Sequence, residues 1–275
     1  LLLHMINLIT SFFRPENTER LNELVVCLKN NINSKYIKKI YLFMERKEDI
    51  EFLKETIKTT GNKIQLILWN KQPFYSDYLN LANQLKGEIC MISNADIWLK
   101  ECDVELINLI KTNKNIGYAL TRHEYDMSCD SINEFGNIGS FDCFIFISPK
   151  LVTGNIKHVQ NIPGSEHIFK YFMEKDTKIK FYNLCHDIII VHEHKSNIRN
   201  YNEGDLLYPT SQRWQDKEKA FKNHIDNLYP HPEKDLIRTP PITKNQLTNS
   251  LIQPSGKKFK STFARLLRQS FPPFH

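Results

Sequence analysis

Between Met5 and Ser93, four short apolar runs alternate with segments whose apolar residues recur at helical spacing. That alternation limits the fold more than any other feature of the chain. Met5 to Phe13 reads as a strand, and Pro15 then opens an element in which Leu21, Leu24, Val25 and Leu28 line one helical face. Ile37 to Met44 predicts a second strand, Lys47 to Thr59 a helix ending near Gly61, and Lys63 to Trp69 a third strand. Asp77 to Lys86 predicts a helix stopped at Gly87, and Glu88 to Ser93 a fourth, strongly apolar strand. Short strands separated by helices argue for a parallel sheet covered on both faces and joined by right-handed crossovers. Ligands of such sheets sit beyond the carboxyl ends of the strands. The ends to watch are Thr10 to Arg14, Glu45, Trp69 to Asn70, and Ser93 to Asp96.

Beyond this half, the pattern predicts helices at Val104 to Ile110 and Gly164 to Met173. It predicts strands at Gly117 to Thr121, Asp142 to Ser148, Lys178 to Tyr182 and Asp187 to His192. Residues 5–230 are expected to form one α/β domain, with halves at about 5–100 and about 101–230. Residues 231–275 carry six prolines and read as an extended tail, with one short amphipathic helix near Phe259 to Leu267. Between His231 and His275, eight basic residues face two acidic ones, which accounts for the whole net charge of +6. The first 230 residues are therefore formally neutral, which argues against a nucleic-acid-binding core. The tail could touch an anionic lipid surface or pack back on the domain as a last helix.

Six cysteines include no close Cys-x-x-Cys pair, so a structural zinc site is not expected. Cys27, Cys90 and Cys143 lie in apolar runs and read as buried thiols, suiting a cytoplasmic setting or the cytoplasmic face of a membrane. Leu1 to His4 read as a cloning junction, and no apolar run approaches the length of a membrane span.

Two segments carry chemistry. In Ile92-Ser93-Asn94-Ala95-Asp96-Ile97 an apolar strand runs into a turn holding an amide and a carboxylate. Those are oxygen ligands for Mg2+ or Mn2+, or else caps for the next element. In His192-Glu193-His194 the two imidazoles share a face if the strand continues, as transition-metal ligands or as histidines of a strand edge. Ser196 and Arg199 follow and suit a diphosphate.

The stretch from Tyr75 to Asp96 resembles the centre of glycosyltransferases of the GT-A fold. Those enzymes carry an Asn-rich helix, a glycine, an apolar strand and an Asp-x-Asp-type metal motif, which Asn94-Ala95-Asp96 would fill here. Ile9 to Arg14 resembles their first strand and nucleotide loop, and the His-x-His segment resembles the place where many members add a metal-binding histidine. The resemblance spans about residues 5–200. It implies a GT-A-like (Rossmann-like) fold, with a mixed, mainly parallel sheet flanked by helices. It further implies transfer of a sugar from a nucleotide-diphosphate donor, UDP-linked by preference, to an acceptor hydroxyl such as that of a glycan, assisted by Mn2+ or Mg2+.

Thr10, Arg14, Glu45, Asn83, Asn94, Asp96, Ser196 and Arg199 are the expected donor contacts. Asp96, His192 and His194 are the expected metal ligands, with Glu166 as general base and Asp142 as an acceptor or sugar ligand. Arg122, His123 and Asp126 are expected to line the acceptor side, and Trp69 and Trp98 are either stacking surfaces or core. Asn94 departs from the motif, because an amide supplies no charge, and this raises the weight on the histidines. Two rivals remain. A sugar-phosphate nucleotidyltransferase would want a glycine-rich loop near the first strand, but no glycine precedes Gly61. A carbohydrate-binding protein on the same fold would lack turnover.

Overall fold

The computed structural model describes residues 5–57, 61–128, 141–148, 156, 158–160, 165–196, 198, 239 and 241–252. The first half follows the apolar pattern. Strand β1 (Ile6–Phe12) lies between β2 (Ile37–Met44) and β4 (Ile89–Ser93), and β3 (Ile64–Leu68) forms the outer edge; all four run parallel. Helices α1 (Thr18–Asn33), α2 (Lys47–Thr56) and α3 (Tyr75–Gln84) make the connections. Asn17 caps α1 by accepting from the backbone N–H of Arg20. At the start of α3, the Asp77 carboxylate accepts from the N–H of Phe74 at 2.8 Å. Gly87 takes a positive φ of 79° just beyond α3, a conformation that costs a residue without Cβ little.

The sheet continues with one reversed strand, followed by two that run with the first four. β8 (Cys143–Ile147) is antiparallel to β4 and to β6 (Ile116–Leu120), and β9 (Lys180–Tyr182) runs parallel to β6. The seven-stranded order is β3-β2-β1-β4-β8-β6-β9. The architecture is thus the mixed, mainly parallel sheet flanked by helices expected from the resemblance, and the all-parallel reading of the first half does not extend to β8. One core face packs Leu24, Leu28, Met91 and Ile145. The other packs aromatic residues, with Tyr75 stacked on Phe169 and Phe144 set edge-on to it.

A second, three-stranded sheet comprises β5 (Ile97–Cys102), β7 (His123–Glu124) and β10 (Ile188–His192), in the order β5-β10-β7. Only β10 coincides with a strand expected from the sequence, at Asp187 to His192. Apolar alternation in β5 holds only for Ile97 and Leu99. The pairing then skips Lys100, so Ile189 faces Glu101 while Ile190 faces Leu99. This bulge moves the next buried side chain to Cys102 and hides the period of two. Helix α4 (Val104–Thr112) follows β5, and α5 (Ser165–Asp176) precedes β9. Helix α6 (Lys244–Ile252) corrects the extended reading of the tail, with Leu247 fully buried and Lys244 bonded to Asp103 at 2.7 Å. The helix anticipated near Phe259 to Leu267 lies outside the described residues.

β5 forms the outer edge of the small sheet, and its outward backbone groups are met by a side chain of α1. Asn31 donates to the carbonyl of Ile97 at 2.9 Å and accepts from the N–H of Leu99 at 3.1 Å, all buried. A buried donor or acceptor left without a partner costs about 1–3 kcal/mol. Asn31→Leu is therefore expected to lower stability by about 2–4 kcal/mol, read as a reduced urea midpoint with an unchanged m-value. An unchanged midpoint would show that the edge of β5 needs no partner.

Candidate metal centre

Register brings the principal site residues together. β1 and β4 end side by side, and Cys143 pairs with Ser93, so Asp142 enters at the same edge. β6 is antiparallel to β8, which delivers Arg122 there as well. In the small sheet His192 pairs with both Ile97 and Glu124, so one cross-strand row carries β10, the start of β5 and β7 to Asp96. The N–H of Glu193 completes the junction by donating to the carbonyl of Asp96 at 3.0 Å.

Asp96 is buried at this junction and shares Oδ2 among several cationic or potentially cationic groups. Arg20 reaches it at 2.6 Å, His192 Nε2 at 3.2 Å and His194 Nδ1 at 3.7 Å. Burial alone would raise the Asp96 carboxyl, but the two imidazoles and the Arg20 guanidinium hold it well below the usual carboxylate range. Burial likewise opposes the charge on His192, yet Asp96 and Glu124 lift it to about 9. Glu124 is pulled down to about 2, against its own desolvation, by His192 and Arg122.

A continuous ionic chain results. Glu23 pairs with Arg20 at 2.8 Å, Arg20 with Asp96, and Asp96 with His192. His192 Nδ1 meets Glu124 at 2.8 Å, Glu124 meets Arg122 at 2.7 Å, and Arg122 meets Asp142 at 3.1 Å. The amide of Asn94 donates to the same Asp142 oxygen at 3.2 Å. With His192 protonated, as its rise to about 9 implies, this chain sets three cations against four carboxylates; a divalent cation would displace the proton from Nε2 and fill the deficit.

The donor set fits such an ion. Ligand atoms of Asp96, His192 and His194 lie within 4.8 Å of one another. Neither ring nitrogen of buried His194 has a hydrogen-bond partner among the described residues. The Glu124 contact on Nδ1 leaves His192 Nε2 facing Asp96, the carboxylate–histidine arrangement typical behind a metal ligand. Arg20 Nε, Ser93 Oγ and Asn94 Oδ1 are further buried polar atoms without partners in the described part.

Of the donor residues expected from the sequence, Thr10 and Asn94 stand at this strand edge, with Thr10 Oγ1 donating to the carbonyl of Ser93 at 2.8 Å. Arg14 and Glu45 lie at the ends of β1 and β2. The Arg14 guanidinium covers the ring of Phe52, and burial raises the Glu45 carboxyl. Asn83 sits half-buried on α3. Ser196 turns its hydroxyl to Glu23 at 3.2 Å, and Arg199 lies outside the described residues. His123 is held by the carbonyl of Cys185 at 2.7 Å, and Asp126 is an exposed turn residue bonded to Ser128. Trp98 donates to Glu193, while Trp69 is partly exposed against Phe43. Arg20, Glu23 and Glu124 escaped the sequence reading. A charged pair three apart on the apolar face of α1 was the available signal for the first two.

Glu166 is buried near Asp142. Burial, then the Asp142 charge, pushes its carboxyl up to about 8. His167 beside it is pushed down to about 4 by burial.

No known family model and no curated protein sequence matches the chain. Among solved structures, GalNAc-T7 with UDP, GalNAc and Mn2+ is similar at 11% identity and a TM-score of 0.49, over 81% of this chain and 48% of that one. The mannosyltransferase PcManGT from Pyrobaculum calidifontis, with GDP-Man and Mn2+, is similar at 11% identity and a TM-score of 0.48, over 83% and 65%. A 4-diphosphocytidyl-2C-methyl-D-erythritol synthase from Anaerococcus prevotii is similar at 15% identity and a TM-score of 0.41, over 74% and 93%. The chain thus spans about half the length of the first. Likenesses this distant carry no argument about activity. No described helix is long and apolar enough to cross a membrane.

A carboxyl raised in the fold binds its proton more tightly there than in the unfolded chain. Stability tied to Glu166 is therefore fully present below about pH 4.5 and is lost as pH rises through about 8. Glu166→Gln is expected to match the parent at pH 4 and to exceed it by about 3–5 kcal/mol at pH 9. Denaturant titrations at the two pH values measure this, and parallel curves at both would show that Glu166 ionises freely in the fold.

Proposed function

We propose that the protein transfers a sugar from a nucleotide-diphosphate donor, UDP-linked by preference, to an acceptor hydroxyl. The observation that carries the reading is the buried Asp96, His192 and His194 cluster at the carboxyl edge of the sheet, with the His194 ring making no hydrogen bond among the described residues and standing 3.7 Å from Asp96, and with His192 backed by Glu124. Asn94-Ala95-Asp96 at the end of β4 adds the sequence resemblance. Asp96, His192 and His194 would hold Mn2+ or Mg2+, which when bound neutralises the charge of a leaving diphosphate.

The remaining work falls to the chain itself. Thr10, Arg14, Glu45, Asn83 and Asn94 are assigned to the nucleotide, and Ser196 and Arg199 to the diphosphate. Asp142 is tied to Arg122 and Asn94, which suits a fixed acceptor for sugar hydroxyls. Glu166 is left to take the proton. The acceptor oxygen bonds to the anomeric carbon, and the bond to the donor phosphate oxygen breaks with its electron pair leaving on the diphosphate. The acceptor proton passes to the Glu166 carboxylate. With its carboxyl raised to about 8, Glu166 acts through its ionised fraction, so transfer should rise with pH up to about 8. A retaining course is equally compatible with the fold. Nothing in the described residues favours the nucleotidyltransferase or binding-protein readings.

With Mn2+ present, a UDP-sugar should raise the melting temperature of the parent, because ligand binds only the folded chain. Hydrolysis of that donor should fall at least about 100-fold in folded Asp96→Asn. Hydrolysis by folded Asp96→Asn at the parent rate, or a parent inert to every nucleoside diphosphate-sugar, would end the proposal.

A further inference from the structure

We infer that Arg20 and Glu23 are a positioning pair that sets two of the three cation ligands, an assignment that rests on the proposed function. Both lie on the buried face of α1, at 5% and 7% exposure, among Leu24, Cys27 and Leu28. A helix docks through apolar residues without help from charge, and burying an ion pair costs several kcal/mol in desolvation unless every group is met. Here nearly every group is met by the candidate centre itself. Arg20 donates to Glu23 Oε2 and to Asp96 Oδ2, so it fixes the carboxylate that two histidines face. Glu23 Oε1 accepts from the backbone N–H groups of Lys195 and Ser196 at 2.6 and 2.7 Å, and Oε2 accepts from the Ser196 hydroxyl.

The second set of bonds explains how His194 is held. Its ring makes no hydrogen bond among the described residues; it packs against His192 and stands 3.7 Å from Asp96, contacts that leave the backbone to be fixed elsewhere. Its backbone is bracketed instead. Glu193 on one side is tied to the carbonyl of Asp96, and Lys195 and Ser196 on the other are tied to Glu23. Glu23 thereby orders a ligand 171 positions away without touching its ring. Arg20 links that clamp to the carboxylate of Asp96, so the strand end after β10 and the turn after β4 are fixed against each other through one helix. Removing the clamp leaves all three ligands in the chain but frees the backbone that presents His194.

The test is Mn2+ binding to the full chain, followed by loss of the free-ion electron paramagnetic resonance signal. Backbone hydrogen exchange at Lys195 and Ser196 is followed alongside, and thermal unfolding confirms that each variant is folded. Glu23→Gln keeps the size of the side chain but presents an amide to donors on both sides. It is expected to weaken Mn2+ binding about 10- to 100-fold, the usual effect of losing a partner behind a ligand, and to speed exchange at both amides. Arg20→Lys keeps a cation beside Asp96 but loses the fork to Glu23, and carries the test if Glu23→Gln does not fold. Its expected loss is smaller and in the same direction. Parent and folded variants that bind Mn2+ equally would overturn the positioning role alone. A parent that binds no Mn2+ would overturn the cation reading, and the pair's role with it.

Discussion

The structure depends on keeping one carboxylate charged where water does not reach it. Asp96 sits at the end of the central strand β4, where an isolated ionised group would be prohibitive to bury. It stays charged because Arg20 and His192 lie against it and each is answered in turn by Glu23 and Glu124. Removing one member would strand its neighbour's charge in a dry setting, which is why the five groups behave as a unit rather than as separate pairs. The ionic chain also joins α1, the end of β4, β7 and the segment after β10, in addition to the apolar cluster that α1, β4 and β10 share.

Much of this was legible in the sequence. The strands of the first half follow from continuous apolar runs between helical periods, and Ile37–Met44 falls where the pattern puts it, because β2 is buried over most of its length. Asp96 and the two histidines were visible as polar residues interrupting apolar strands. What stayed hidden was whatever depended on tertiary pairing. β5 is masked by its bulge at Lys100, and β7 is only two residues long, too short for any periodicity. Glu124 and Glu23 look like ordinary surface acids in sequence, and only the register of β10 against β7 and the docking of α1 give them partners. The α6 segment, Lys-Asn-Gln-Leu-Thr-Asn-Ser-Leu-Ile, is polar enough to pass as tail. It is held by Leu247 and by Lys244 against Asp103 and Glu105.

The surroundings of Glu166 are organised by a different principle. Around Asp96 the charges are satisfied by opposite charges, whereas Glu166 is buried near Tyr75, a member of the aromatic cluster that includes Phe144 and Phe169. One sheet thus presents an ionised carboxylate and a protonated one at neutral pH, set apart by their surroundings and not by their chemistry. Arg122 stands between them, bonded to Asp142 on one side and to Glu124 on the other.

The skipped residue in β5 makes the small sheet sensitive to counting. Because side chains alternate along a strand, the extra position at Lys100 is what allows Leu99 and Cys102, an odd interval apart, to point inward together. Parity, more than side-chain identity, therefore governs this strand. Many exchanges at Lys100 or Glu101 should be neutral, and deletion of Lys100 would leave Glu101 and Cys102 opposite Ile189 and Ile188, whereas an added residue would force the remainder to turn over or slide. Variation in length should accordingly be tolerated in this stretch in one direction, by loss of the extra position.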